Sequence, residues 1–152
     1  VRKKSGLLHV RVSEEAPSTR CLCGKARYRV ADAFAYAAFY HCKDCQKSTG
    51  SAFKPFAGIE TDKFELACEP AELLLYGDAI NHDARCAACG ALLYSRVRDG
   101  AYVHVAMGTL ETAPTIRPGE HIFVRSKAPW HRIADDLPQY AGHVADGPPL
   151  NR

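Results

Sequence analysis

The chain has 152 residues, 47% of them hydrophobic, and a formal net charge of +3. That length fits one domain, and the composition supplies a core that needs no disulfides to form. The basic residues are scattered among acidic ones rather than gathered in the stripe a dedicated nucleic-acid binder carries, and no apolar run is long enough to cross a membrane.

The first twenty residues, "VRKKSGLLHVRVSEEAPSTR", are basic but lack an apolar signal core with a cleavage site. The chain begins with Val rather than Met, which is consistent with a start that has been removed. Polar–apolar alternation in "KARYRV", 25–30, predicts a half-buried strand. "FAYAAFYH", 34–41, reads as a buried strand running into a cysteine pair. "FKPFAGI", 53–59, "KFELA", 63–67, and "ELLLYG", 72–77, read as short strands between turns. "ALLYSRV", 91–97, then "DG", then "AYVHVAM", 101–107, is the strongest hairpin signal. "HIFVRS", 121–126, is the last strand expected. Helix is expected only for a turn or two after Cys42 and within "PWHRIADDL", 129–137. The fold class that follows is mainly β, mostly antiparallel, with short helical pieces.

Seven cysteines fall into Cys21 with Cys23, Cys42 with Cys45, and Cys86 with Cys89, leaving Cys68 alone. An odd count without a secretion signal argues against a disulfide framework and for metal in a reducing compartment, the cytoplasm. Two cysteines separated by one residue close a strained ring if they bond each other, but both can ligate one metal where Gly24 allows the turn. "CAACG", 86–90, is a knuckle with Gly90 directly after it. Cys21, Cys23, Cys86 and Cys89 supply the four sulfurs a closed zinc site requires. Spacing alone leaves open a ribbon-like site from Cys42, Cys45, Cys86 and Cys89, which would idle the first pair.

"CLCGKARYRV", "HCKDCQKSTGSAF", "ARCAACGALLYS" and "HIFVRSKAPWHRIADDLPQY" together resemble the glutathione-dependent formaldehyde-activating enzyme family, which includes the domain of centromere protein V. The resemblance runs from about Cys21 to Tyr140. It implies a zinc-stabilised β-tent domain over 21–142, with an N-terminal extension at 1–20 and a loose tail at 143–152. It also implies a structural zinc on Cys21, Cys23, Cys86 and Cys89.

The family's second metal site is a C-x-C-x-x-C run with an open fourth position, as reactive zinc needs. Here the run is "YHCKDC": Cys42 and Cys45 are in place, and Tyr40 stands where the first thiol would be. In a strand, residues 40 and 42 share a side and His41 takes the other. A phenol is a poor zinc ligand at neutral pH, yet it can donate a hydrogen bond to a thiolate or substrate. Gln46 replaces the arginine usual after the last cysteine, with Lys47 beside it. The expectation is an impaired second zinc site, with Cys42, Cys45 and Tyr40 as the catalytic candidates.

The activity implied is that of a carbon–sulfur lyase acting on a glutathione–formaldehyde adduct, with glutathione or a related thiol as partner. A non-catalytic zinc scaffold is the alternative, and a redox role for Cys42 and Cys45 near a helix start is a third reading. The edge strands of a small β domain make a homodimer an expectation. Among other residues, "STG", 48–50, reads as a helix end capped by Gly50, and Asp44 as a cap for the turn after Cys42. Cys68 reads as a plain thiol, His82 as a loop histidine, His104 as a strand residue on the less buried face, and Trp130 as a core anchor or pocket wall.

Overall fold

The computed structural model describes Val12, Ala16 and residues 18–151, so most of the predicted N-terminal extension lies outside the described residues. Among the described residues ten strands follow one another: β1 (Ser18–Arg20), β2 (Arg27–Val30), β3 (Tyr36–Tyr40), β4 (Lys54–Glu60), β5 (Phe64–Leu66), β6 (Leu73–Gly77), β7 (His82–Cys86), β8 (Leu92–Val97), β9 (Tyr102–Ala106) and β10 (His121–Ile122). One α-helix among them, α1 (Lys43–Thr49), lies between β3 and β4, and short 3-10 turns join several strands. The mainly β class is as expected.

The strands form two sheets. One is three-stranded, in the order β1-β2-β5; the other is seven-stranded, in the order β10-β3-β4-β9-β8-β7-β6. All pairings are antiparallel except β10 with β3, where His121 and Ile122 run parallel to Phe39 and Tyr40.

The period-2 alternation of β residues divides the large sheet into two faces. Ala37, Ala57, Val105, Tyr94 and Ala84 lie in register across five strands and face the core. There Val105, Tyr94 and Ala84 join Tyr28 and Val30 of the small sheet, with Phe64 packed against them. Tyr28 stacks on Phe64 at 5.1 Å between ring centroids, and Phe64 meets Tyr94 at 4.7 Å. Fully buried Ile59, Leu93, Val103 and Val105 each stabilise this core by about 1.5–3 kcal/mol.

The opposite face carries a second register row of Tyr36, Gly58, His104, Ser95 and Asp83. The row is polar and aromatic, and the face receives α1 through the hydrogen bond from Ser48 Oγ to Asp83 Oδ2, 3.3 Å. Gly58 is required there because a Cβ would lie 2.2 Å from the Tyr36 ring.

Several elements differ from expectation. The hairpin turn begins at Arg98, one residue earlier than "DG", and Arg98, Asp99 and Gly100 all take positive φ. Strand β10 stops at Ile122 because Phe123 turns left-handed (φ 59) into a 3-10 turn. No helix forms over 129–137. Lys127 Nζ instead donates to the carbonyls of Ala128 and His131, and Trp130 is 73% exposed rather than a core anchor. His82 lies in β7, not in a loop. The segment read as a loose tail folds back, with Leu150 N donating to Gln139 O at 2.7 Å and Asn151 Nδ2 to Leu137 O at 2.9 Å.

Candidate metal centre and adjacent cleft

The turn after β1 and the turn between β7 and β8 converge. Cys21, Cys23, Cys86 and Cys89 place their sulfurs within 4.8 Å of one another, and these four form the metal-capable cluster among the described residues. Cys21 and Cys23 Sγ are 3.6 Å apart, and Cys23 and Cys86 Sγ 3.7 Å. Tetrahedral metal–sulfur bonds of about 2.3 Å would set sulfurs about 3.8 Å apart, so the spacing fits one zinc-sized ion.

Local backbone geometry builds both turns. Gly24 (φ 82) and Gly90 (φ 74) take left-handed conformations directly after the cysteines. Amide donors then turn toward sulfur: Ala26 N to Cys21 Sγ at 3.3 Å, Cys89 N to Cys86 Sγ at 3.5 Å. The amide N–H of Cys89, with that of Ala88, pulls the Cys86 thiol down to about 6. The Lys25 amide pulls Cys23 the same way, but burial and the neighbouring sulfurs outweigh it and push that thiol up to about 11. Crowded thiols thus share protons unequally, and a cation that replaces those protons relieves the crowding. Cys68 stays a free thiol outside the cluster.

Cys42 and Cys45 do not join this cluster. They are bonded to each other as a disulfide, and in that state neither sulfur is the thiolate that a metal binds. They also build α1. Cys42 is its N-cap, its Sγ accepting from Cys45 N at 3.3 Å, which is the role assigned to Asp44 from sequence. Gly50 closes the helix as expected, at φ 64, with its N–H on Gln46 O. Gln46 donates from Nε2 to His41 O (2.7 Å) and Ser126 O (2.9 Å), tying the strand exit to the late turn. Thr49 Oγ1 donates to Cys45 O.

His41 points away from the Tyr40 face, fully buried, with Nε2 2.8 Å from His121 Nδ1; His121 Nε2 lies 3.1 Å from Asp135. Tyr40 lies on the other face, edge-on to Phe56 and tilted against His104. It lines a cleft of about 350 Å³ with Tyr36, Arg98, His104, Glu120 and His143. Neither Cys42 nor Cys45 lines it. Burial, reinforced by Tyr36, raises the Tyr40 phenol above its ordinary value, so it stays protonated at neutral pH. Tyr36 OH and His104 Nε2 are 2.7 Å apart, and Arg98 sits over the Tyr36 and Tyr102 rings.

Sequence reasoning missed the charged group beside this cleft. Lys54, Asp83, Arg85 and Ser95 meet on the same face. Tyr40 and Lys54 belong to strands read correctly, so their pairing was within reach; Asp83 and Arg85 were hidden because β7 was read as loop.

The model of the family described as "Glutathione-dependent formaldehyde-activating enzyme" matches residues 16–126, which include all six clustered cysteines. A search of curated proteins finds no match. Among solved structures, a crystal structure of a Rhodobacter sphaeroides protein is similar at 20% identity with a TM-score of 0.53, covering 67% of this chain and 92% of that one. At that identity the likeness concerns the fold. Among the described residues, no helix is long and apolar enough to cross a membrane.

Proposed function

The chain belongs to the glutathione-dependent formaldehyde-activating enzyme family, and we propose that it is a zinc protein of the carbon–sulfur lyase class that acts on a thiol–formaldehyde adduct, with glutathione as the thiol. The observation that carries the metal part is the convergence of four sulfurs within 4.8 Å. Their all-thiolate donor set suits zinc, and a closed four-ligand site suits a structural role. We assign this site to a domain over 21–142, to which the end of the 1–20 extension adds β1 and onto which the 143–152 tail folds back. Its free thiols favour a reducing compartment, the cytoplasm.

Cys42 and Cys45 are proposed as a second, incomplete zinc site that becomes available once their disulfide is reduced by a cellular thiol. Zinc bound there would supply Lewis acidity that lowers the pKa of a thiol. The reaction adds the glutathione sulfur to the carbonyl carbon of formaldehyde, forming the carbon–sulfur bond while the carbonyl oxygen takes up a proton; lysis is the reverse. Tyr40, kept protonated by burial, has the O–H to donate a hydrogen bond to that oxygen or to the sulfur. The Tyr36–His104 pair fixes the aromatic wall beside it, and Gln46 fixes the backbone before Cys42.

The second reading is a zinc scaffold without catalysis. It is favoured by Tyr40 in the place of a ligand and by a cleft that neither cysteine lines. Glutathione titration of the reduced, zinc-replete protein by calorimetry decides between them. The enzyme reading expects saturable binding that disappears when Cys42 and Cys45 are both changed to Ser. Absence of binding, or binding unaltered by those changes, leaves the scaffold.

A further inference from the structure

We propose that the cavity beside Lys54 is a binding site for a small oxyanion, a carboxylate or phosphate group, held by the Lys54 ammonium. The proposal does not rest on the thiol chemistry above.

Lys54 opens β4 and is only 6% exposed. Its Nζ lies 4.1 Å above the Phe56 ring. The nearest carboxylate oxygen, Asp83 Oδ1, is 3.9 Å away, beyond hydrogen-bonding distance. Among the described residues the ammonium donates no hydrogen bond, and Nζ is not among the fully enclosed unpartnered nitrogens, so the largely buried side chain leaves its N–H donors open to the cavity it lines. Asp83 is divided among partners: Ser95 Oγ donates to Oδ1, and Ser48 Oγ to Oδ2. Arg85 adds a second cation, held by Gly90 O at 3.1 Å and by the backbone carbonyl and hydroxyl of Ser48. Lys54 thus has Asp83 as its ion-pair partner, while Arg85 is held by neutral groups. Burial lowers the Lys54 ammonium from its ordinary value; Asp83 opposes this and Arg85 adds to it.

Space is available for the missing counter-charge. Lys54 and Arg85 line a cavity of about 330 Å³, together with Ser48, Thr49 and Thr109. The hydroxyls there already donate elsewhere: Thr49 to Cys45 O and Thr109 to Ala106 O. These hydroxyls offer a ligand no proton, so the free donors are those of the Lys54 ammonium, which call for negative charge and acceptor oxygens, as a carboxylate or phosphate brings. A neutral ligand would leave Asp83, at 3.9 Å, as the counter-charge of the ammonium.

The test uses the reduced, zinc-replete full chain with ¹⁵N-labelled lysine, titrated with inorganic phosphate and with malonate at constant ionic strength. The Lys54 Nζ resonance is expected to shift saturably, while those of exposed Lys43 and Lys47 move little. By calorimetry, Lys54→Met should weaken binding at least roughly ten-fold, as loss of a charged hydrogen bond does, and Lys54→Arg should retain it. A parallel titration with S-methylglutathione, which has carboxylates but no free thiol, identifies the source: a Lys54 response there places the carboxylate of a peptide thiol in the site, and a response to phosphate alone indicates a free anion. A Lys54 resonance that moves no more than those of Lys43 and Lys47, or a Lys54→Met protein that binds phosphate as the parent does, overturns the proposal. The resonance measurement needs no variant, so it decides even if Lys54→Met fails to fold.

Discussion

Tyr40 and Lys54 face each other across β3 and β4, on the sheet face that receives α1. The residue that we propose stands in place of a thiol at the second site is therefore paired with a largely buried cation. A thiolate at position 40 would lie near that cation, whereas a phenol places no negative charge there at neutral pH. Tyr40→Cys should complete the three-sulfur run with Cys42 and Cys45. Under reducing conditions, zinc per chain is expected to rise from about one to about two by mass spectrometry. An unchanged zinc content would show that the β3–α1 junction cannot hold metal even with its full cysteine set.

The four-sulfur cluster gives a prediction about stability. Because the sulfurs come from turns far apart in sequence, an ion bound there ties the β1 end to the β7–β8 knuckle. Cys86→Ala should lose its zinc and melt lower by roughly 10 °C or more, and a strong chelator should reproduce that loss in the parent protein. Cys68→Ala, outside the cluster, should keep its metal. Equal zinc in the Cys86→Ala protein would refute the assignment.

Much of this site could be read from local signals. Cysteine spacing and the following glycines marked the two metal-binding turns, and Gly50 marked the end of α1, because turns and caps depend on near neighbours; which pairs share one ion was left open by spacing and came from the family resemblance. Two failures have a common physical cause. The segment 129–137 carries helix-forming residues, but in the fold it is held by tertiary contacts such as His121 with Asp135 rather than by its own backbone ladder. Strand β7, "HDARC", does alternate, Asp83 and Arg85 with buried Ala84 and Cys86, but the alternation is only four residues long, and the groups that hold its polar residues, Ser95 and Ser48, come from β8 and α1. The Cys42–Cys45 bond corresponds to the third reading, a redox pair, which spacing could not favour because C-x-x-C serves metal and disulfide alike.

The close approach of Tyr36 to Gly58 is testable by packing. Gly58→Ala puts a methyl group 2.2 Å from the Tyr36 ring carbon, so the ring must move off His104. The expected destabilisation is about 1–3 kcal/mol, the usual range for overpacking. If the clash is the cause, Tyr36→Ala should remove most of the additional effect of Gly58→Ala, a coupling that a double-mutant cycle by denaturant unfolding measures. Additive single effects would place the strain elsewhere.

His104 gives the acid limb of stability. Burial, with Arg98 and Lys54 nearby, lowers its imidazole from 6.5 to about 4. Between those values the unfolded chain binds the proton and the folded protein does not. Stability therefore rises with pH across that window, is fully present above about 6.5 and is lost progressively toward 4. His104→Gln, which keeps a polar group for Tyr36 OH, should lower the stability difference between pH 7 and pH 5 measured by denaturant unfolding. Part of the difference should remain, because His41 is lowered in the same direction by burial and by His121. Metal loss at acid pH affects both proteins alike, so the informative quantity is the change in slope between them. An identical slope in the two proteins would mean that His104 takes up its proton as readily folded as unfolded, against the burial on which the polar face of the large sheet is built.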